Sequence, residues 1–154
     1  MQLTSSAFIN NGEIPEKYTR KGSNVNPPLT IKDAPPETQS FVLIFQDPDM
    51  VPKAHIHWLV FNIPATVTEI PENSVPEGAI EGVTSSKKRK YNGPCPKDFS
   101  DEHQCVFRLY ALDRVLSLPA KSTTTQVIET ITEHILATAE LIGDVNGSQQ
   151  PSVL

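Results

Sequence analysis

The 154 residues are 38% apolar and 20% charged, with a formal net charge of −5. That is the make-up of one folded domain, residues 1–154, ending in a polar, frayed tail over 145–154. The acidic balance excludes a general nucleic-acid footprint, and no apolar run reaches membrane-spanning length.

In chain order, residues 1–35 are rich in turn signals: Asn10-Asn11-Gly12, Ile14-Pro15, Lys21-Gly22 and Asn26-Pro27-Pro28. Short extended pieces fit between them, around Leu3–Phe8 and Leu29–Ile31. Phe41–Gln46 is apolar on both faces and reads as a central strand. Asp47-Pro48-Asp49-Met50-Val51-Pro52 follows as a rigid loop, because two prolines exclude regular helix or central strand. Trp58–Ile63 is the next strand, closed by Pro64. Residues 65–86 are punctuated by Pro71, Pro76, Gly78 and Gly82 and give only short extended segments. Lys87–Lys90 is a solvated basic loop. Tyr91-Asn92-Gly93-Pro94-Cys95-Pro96 is a second rigid loop, running on to His103. Cys105–Leu112 is a strand with Cys105, Phe107, Leu109 and Ala111 on one face. Val127, Ile128, Ile131, Ile135, Leu136, Ala139 and Ile142 form a helical stripe, opened by a Thr123–Gln126 capping box and closed by Gly143. Many strands and one late helix predict a β-sandwich with a helix packed on it.

The fourteen prolines are spread along the chain, which fits fixed turns rather than a disordered tail. Met1-Gln2-Leu3-Thr4-Ser5 lacks the pattern of a secretion signal, so a cytoplasmic protein with reduced thiols is expected. Cys95 and Cys105 alone do not make a disulfide framework.

The polar residues gather at strand junctions. His103 shares a strand parity with Cys105, and His57 with Leu59. Asp47 and Asp49 flank a proline at the end of the central strand. If these strand ends are neighbours, Asp47, Asp49, His57 and His103 converge on one pocket, with the Gly93-Pro94-Cys95-Pro96 loop as a wall. A carboxylate beside an imidazole fixes its tautomer, and an imidazolium near backbone amides seats a phosphate oxygen. Alternatively, the aspartates are turn formers and the histidines bond loop backbone. No ligand pair has a zinc spacing, so neither a metal nor another cofactor is expected. His134 reads as a packing or hydrogen-bonding residue beside the helix rather than a ligand.

Three groups of residues carry a family resemblance: Asp47-Pro48-Asp49 with His57-Trp58, Tyr91-x-Gly93-Pro94-Cys95-Pro96 leading to His103, and Phe107-x-Leu109-Tyr110-Ala111-Leu112-Asp113. Together with Ser6-Ala7-Phe8, Gly22-x-Asn24-x-x-Pro27-Pro28-Leu29, Phe61-Asn62-Ile63-Pro64 and Ala139-x-Leu141-Ile142-Gly143, they resemble the phosphatidylethanolamine-binding protein family. The short bacterial and archaeal, Raf-kinase-inhibitor-like branch is the most similar. The resemblance implies a large antiparallel sheet, a smaller sheet and a flanking C-terminal helix. It implies a ligand pocket built by Asp47, Asp49, His57, Gly93, Pro94 and His103, with Cys105 in the place of a tyrosine that usually lines it. The implied ligand is a small anion or a phospholipid head group. A kinase-like protein partner and a homodimer are also implied. Two further departures are Met50-Val51 before Pro52, and the acidic run Asp98-Phe99-Ser100-Asp101-Glu102 near the mouth. Two other readings compete with non-enzymatic binding. One is a hydrolase using an Asp–His pair with Cys105 or water as nucleophile, although no nucleophile-elbow motif is present. The other is a protein-interaction scaffold with a vestigial pocket.

Overall fold

The structure is a computed structural model that describes residues 1–50, 53–95 and 102–146. Val51, Pro52, Pro96, the run Asp98–Asp101 and the tail from 147 onward, all named above, lie outside the described residues.

Among the described residues, nine strands form two sheets. The small sheet joins β1 (Gln2–Thr4), β3 (Leu29–Lys32) and β6 (Glu69–Ile70) in the order β1-β3-β6. The large sheet joins β2 (Gly12–Glu13), β4 (Ser40–Asp47), β5 (His55–Pro64), β7 (Ile80–Glu81), β8 (Glu102–Leu112) and β9 (Ile135–Asn146). Its order is β2-β9-β8-β4-β5-β7. The large sheet is mixed, not purely antiparallel, because β2 pairs with β9 in parallel.

The binary pattern of β4 explains its place. Phe41, Leu43 and Phe45 face the small sheet, where they meet Leu3, Leu29, Ile31 and Ile70. Val42 and Ile44 face the other way, onto Leu59, Phe61, Val127 and Ile131. A strand buried on both faces needs partners on both edges, and β5 and β8 supply them. On β8, Cys105, Phe107, Leu109 and Ala111 all join the inner core, as their alternation predicts.

The helix differs from expectation. The capping box forms: Gln126 N–H donates to the Thr123 hydroxyl, and Thr123 N–H donates to the Gln126 side chain. But α1 ends at Ile131 (Thr124–Ile131), and the next residues enter β9. Only Val127 and Ile131, one turn apart, are buried by α1. The Thr130 and Thr132 hydroxyls bond back to the carbonyls of Gln126 and Ile128, a habit that weakens helix propagation. Beyond them, Ala139, Leu141, Gly143 and Val145 are buried at every second position, a strand period. The spacing of Ile135, Ala139 and Ile142 mimics a helical continuation. The exposed edge of β8 decides the matter, since its backbone groups need the ladder that β9 provides. Gly143 is therefore no helix cap. It is a strand residue whose absent Cβ makes room for Ile14, since a Cβ there would sit 2.3 Å from Ile14 Cγ1. Val145 and Asn146, expected to fray, lie in β9. His134 closes the turn, with its ring 3.1 Å from Asp113.

Candidate functional site

One end of the large sheet's inner face gathers most of the polar residues singled out above. Asp47 ends β4 with no exposure at all. His103 begins β8, on the strand paired with β4, and its Nδ1 donates to Asp47 Oδ2 at 2.7 Å. Asp47 Oδ1 accepts the Asp49 amide at 3.1 Å, an Asx turn that reverses the chain after the strand. Both expectations for Asp47, turn former and histidine partner, are met by the same carboxylate, one oxygen each. Asp49 itself is exposed.

His57 reaches this face by a route the alternation rule misses. Along β5, Trp58 and Val60 face the inner core while Leu59 and Phe61 face the helix. Strict alternation would send His57 to the helix side with Leu59. Instead the register slips between Phe45 and Gln46, which pair with Trp58 and Ile56, and His57 is the extra residue of a β-bulge. The bulge puts His57 and Trp58 on the same side. The His57 ring lies 5.2 Å from Phe45 and 4.8 Å from His55. His55 is opposite Asp47 in register. Beneath them Phe45 stacks on Phe107 at 3.8 Å and on Tyr91 at 5.8 Å, an aromatic floor that keeps water from one side of the cluster.

The second loop fixes the His57 ring. Asn92 N–H donates to the His57 carbonyl at 2.9 Å, and His57 Nδ1 lies 3.0 Å from the Asn92 carbonyl. A carbonyl only accepts, so Nδ1 carries the proton. In the neutral ring Nε2 is then a bare acceptor. His57 is 2% exposed, and its Nε2 is buried with no hydrogen-bond partner among the described residues. Burial, then the neighbouring His55 and Arg20, pull the His57 pKa down to about 3, against the smaller opposing effect of the Asn92 bond. The ring is thus neutral at ordinary pH. A buried acceptor without a donor costs about 1–3 kcal/mol. His55 is also pulled down, by burial and by Arg20, with Asp47 opposing.

The loop is held from outside by residues to which the sequence reading gave no role. Asn24 Nδ2 donates to Asn92 Oδ1 at 3.0 Å, and its Oδ1 accepts the Gly93 amide at 2.7 Å. Arg20 donates from Nε to the Gly93 carbonyl and from its backbone to the Pro94 carbonyl, both at 2.9 Å. Tyr91 donates to the Tyr18 carbonyl at 2.7 Å. Gly93 allows this closeness, since a Cβ there would sit 2.3 Å from the Tyr18 carbonyl oxygen. Its amide, occupied by Asn24, is not on offer to a ligand in this arrangement. The sequence signal was there in Gly22-x-Asn24, a polar residue in a turn, but nothing local says what it clasps.

Cys105 is fully buried on the inner face. Burial, with added repulsion from Asp47, Asp144 and Asp49, pushes its thiol well above the usual range. Cys95 is also buried, and both thiols are free. Among the described residues no group of three or more His, Cys, Asp or Glu side chains is arranged to hold a metal, and no helix is long and apolar enough to cross a membrane. Two open clefts are present, one of about 380 Å³ around Asn24, Asn26 and Tyr91 and one of about 360 Å³ around Gln46, Ile56 and Thr123. Neither is lined by Asp47, His57 or His103, so chemistry rather than room marks the site.

The molecule is thus a two-sheet β-sandwich with an Asp–His pair and a second, buried histidine at one end of its large sheet. The sequence profile of the phosphatidylethanolamine-binding protein family matches residues 4–146, and the chain belongs to that family. A protein named UPF0098 from Methanothermobacter thermautotrophicus is 41% identical over 93% of this chain and 97% of its own length. The Chlamydia pneumoniae protein of that name is 42% identical over the same shares. Two solved structures superpose closely. The phosphatidylethanolamine-binding protein homologue CT736 from Chlamydia trachomatis has a TM-score of 0.88 and 37% identity, covering 97% of both chains. E. coli YbcL, described as a member of the mammalian family, also has a TM-score of 0.88, at 27% identity, covering 94% of this chain and 97% of its own.

Proposed function

We propose that this protein is a non-enzymatic binder of a small anion or a phosphorylated head group, held at the Asp47–His57–His103 cluster. The observation that carries the reading is the buried Nε2 of His57, unpartnered among the described residues, on the strand next to the one that carries Asp47 of the Asp47–His103 pair. A polar atom left unsatisfied at such a depth calls for a partner, and a ligand at this cluster supplies one. Arg20 adds positive charge beside it. The hydrolase reading draws no support from Cys105, whose buried thiol is held in the un-nucleophilic form. Regulation of a kinase-like partner, self-association and a cytoplasmic setting are extensions of the same reading.

The test is an NMR titration of the four histidine rings with O-phosphoethanolamine and with inorganic phosphate. Saturable shifts at His57 and His103, with His134 unmoved, are expected. Silence of both rings up to millimolar ligand would remove the binding reading and leave the interaction scaffold in its place. Sedimentation of the free protein tests self-association, where a purely monomeric species refutes it.

A further inference from the structure

The proposal above leaves open what form of the anion enters. The answer is written in the hydrogen-bond valence of the site. Asp47 has committed one oxygen to His103 and the other to the Asp49 amide. The Gly93 amide is committed to Asn24. His57 Nδ1–H is committed to the Asn92 carbonyl, and that carbonyl is fixed because the Asn92 amide also bonds the His57 carbonyl. The ring cannot flip its tautomer without breaking this two-bond clasp. What His57 has left is a lone pair on a buried nitrogen. A lone pair repels an anionic oxygen and attracts an O–H.

We infer that the site takes its anion together with a proton, which lies between a phosphoryl oxygen of the ligand and His57 Nε2, so that a phosphomonoester is bound as its monoanion and not as its dianion. This rests on the anion-binding reading and adds the protonation state that the ligand must have. The ionisable groups around the ring are His55 on the same strand, Arg20 from the loop after Tyr18, Asp47 on β4, His103 and Cys105 on β8, and Tyr91 in the second loop. His55 and Arg20 oppose a second positive charge at His57 in the free protein. An anion at Nε2 offsets them, and the proton becomes bindable only when the anion is there. Protonation and ligation are therefore one event.

The experiment uses the full chain with methyl phosphate, a phosphomonoester, and with sulfate, which stays a dianion at these pH values. A phosphomonoester loses its second proton near about pH 6. Methyl phosphate affinity is expected to be flat below about pH 6 and to fall about tenfold per pH unit above it. Calorimetry at about pH 7.5 in two buffers of different ionisation enthalpy should show uptake of about one proton per ligand bound. Sulfate brings no proton and must place one on His57, so its affinity already falls about tenfold per unit throughout about pH 5 to 8. Ring-nitrogen shifts of His55, His57 and His103 assign the proton to its residue. In His57→Gln the side-chain amide puts a donor near the old Nε2 position, so proton uptake should vanish and sulfate should bind as well as methyl phosphate. Methyl phosphate binding that is constant from about pH 6 to 8 with no proton uptake overturns the inference and leaves the anion-binding reading standing. Failure of both anions to bind at any pH removes both. The wild-type calorimetry decides the question even where the variant does not fold.

Discussion

Asn24 is the residue whose removal should tell most about how the second loop is held. It has a φ of 57°, in the left-handed region, and bonds two loop groups at once, Asn92 Oδ1 and the Gly93 amide. Asn24→Gly tolerates the backbone but loses both bonds, at about 1 kcal/mol each, for a total near 2 kcal/mol. Asn24→Ala loses the same bonds and adds about 1 kcal/mol of left-handed strain, for a total near 3 kcal/mol. For a chain of this size that is a fall in Tm of roughly 6–12 °C for the alanine variant. Urea unfolding followed by Trp58, the sole tryptophan and a fully buried one, measures both variants against the wild type. The Asn92 carbonyl moves with the loop, so the His57 Nδ1 shift should change as well. An alanine variant that loses less than about 1 kcal/mol, or one no worse than the glycine variant, would refute this account of the clasp.

Asn62 bridges the sheet and the outer layer in a similar way: at φ 55°, its side chain exchanges two bonds with the backbone of Leu116, at 2.7 and 2.8 Å. Asn62→Ala should cost about 2–3 kcal/mol in denaturant midpoint experiments, and a neutral result would show the pair to be expendable. His57 sets a pH dependence: with a folded pKa of about 3 against an ordinary 6.5, the unfolded chain binds more protons between those values, so this contribution to stability is full above about pH 6.5 and is lost as pH falls toward 3. Between the plateau above about pH 7.5 and pH 5 the loss is about 2 kcal/mol, and it should shrink in His57→Asn, whose amide can still donate to the Asn92 carbonyl; equal slopes in urea titrations would contradict the assignment. Cys105 should resist iodoacetamide in the folded protein at about pH 8, while unfolded chain reacts; rapid labelling under native conditions would mean a thiolate that the burial argument forbids.

What the sequence disclosed, and what it hid, follow from the range of the forces involved. β4 and β8 are legible because their partners demand simple alternation or double burial, and those demands are written residue by residue. The Asp47–His103 contact was reachable only as a conditional, since it depends on β4 and β8 being neighbours, a long-range fact. Parity alone groups His57 with Leu59, because a bulge is invisible to it. One inserted residue exchanges the two faces, and only the partner strand records it. Residues 135–146 went astray for a related reason. Their apolar positions satisfy two periods at once, and the choice belongs to the open edge of β8, far away in sequence. Arg20 acts on backbone groups, which every sequence has, and Asn24 divides its bonds between the Gly93 amide and the distant Asn92 side chain, so no local pattern betrays them.

The parallel pairing of β2 with β9 has a consequence for how the chain is assembled in time. Asn10 accepts the Ile142 amide from 132 residues away, and Ile14 donates to the Asp144 carbonyl. At a synthesis rate of 5–20 residues per second, the segment around Ile14 emerges roughly 7–26 s before the strand that receives it. During that interval Phe8 and Ile14, buried in the finished molecule, have no Leu141 or Gly143 to lie against. The nascent chain therefore carries an unsheltered apolar patch until β9 is made. A ribosome that stalls before Ile142 would release a sticky fragment rather than a smaller version of the fold.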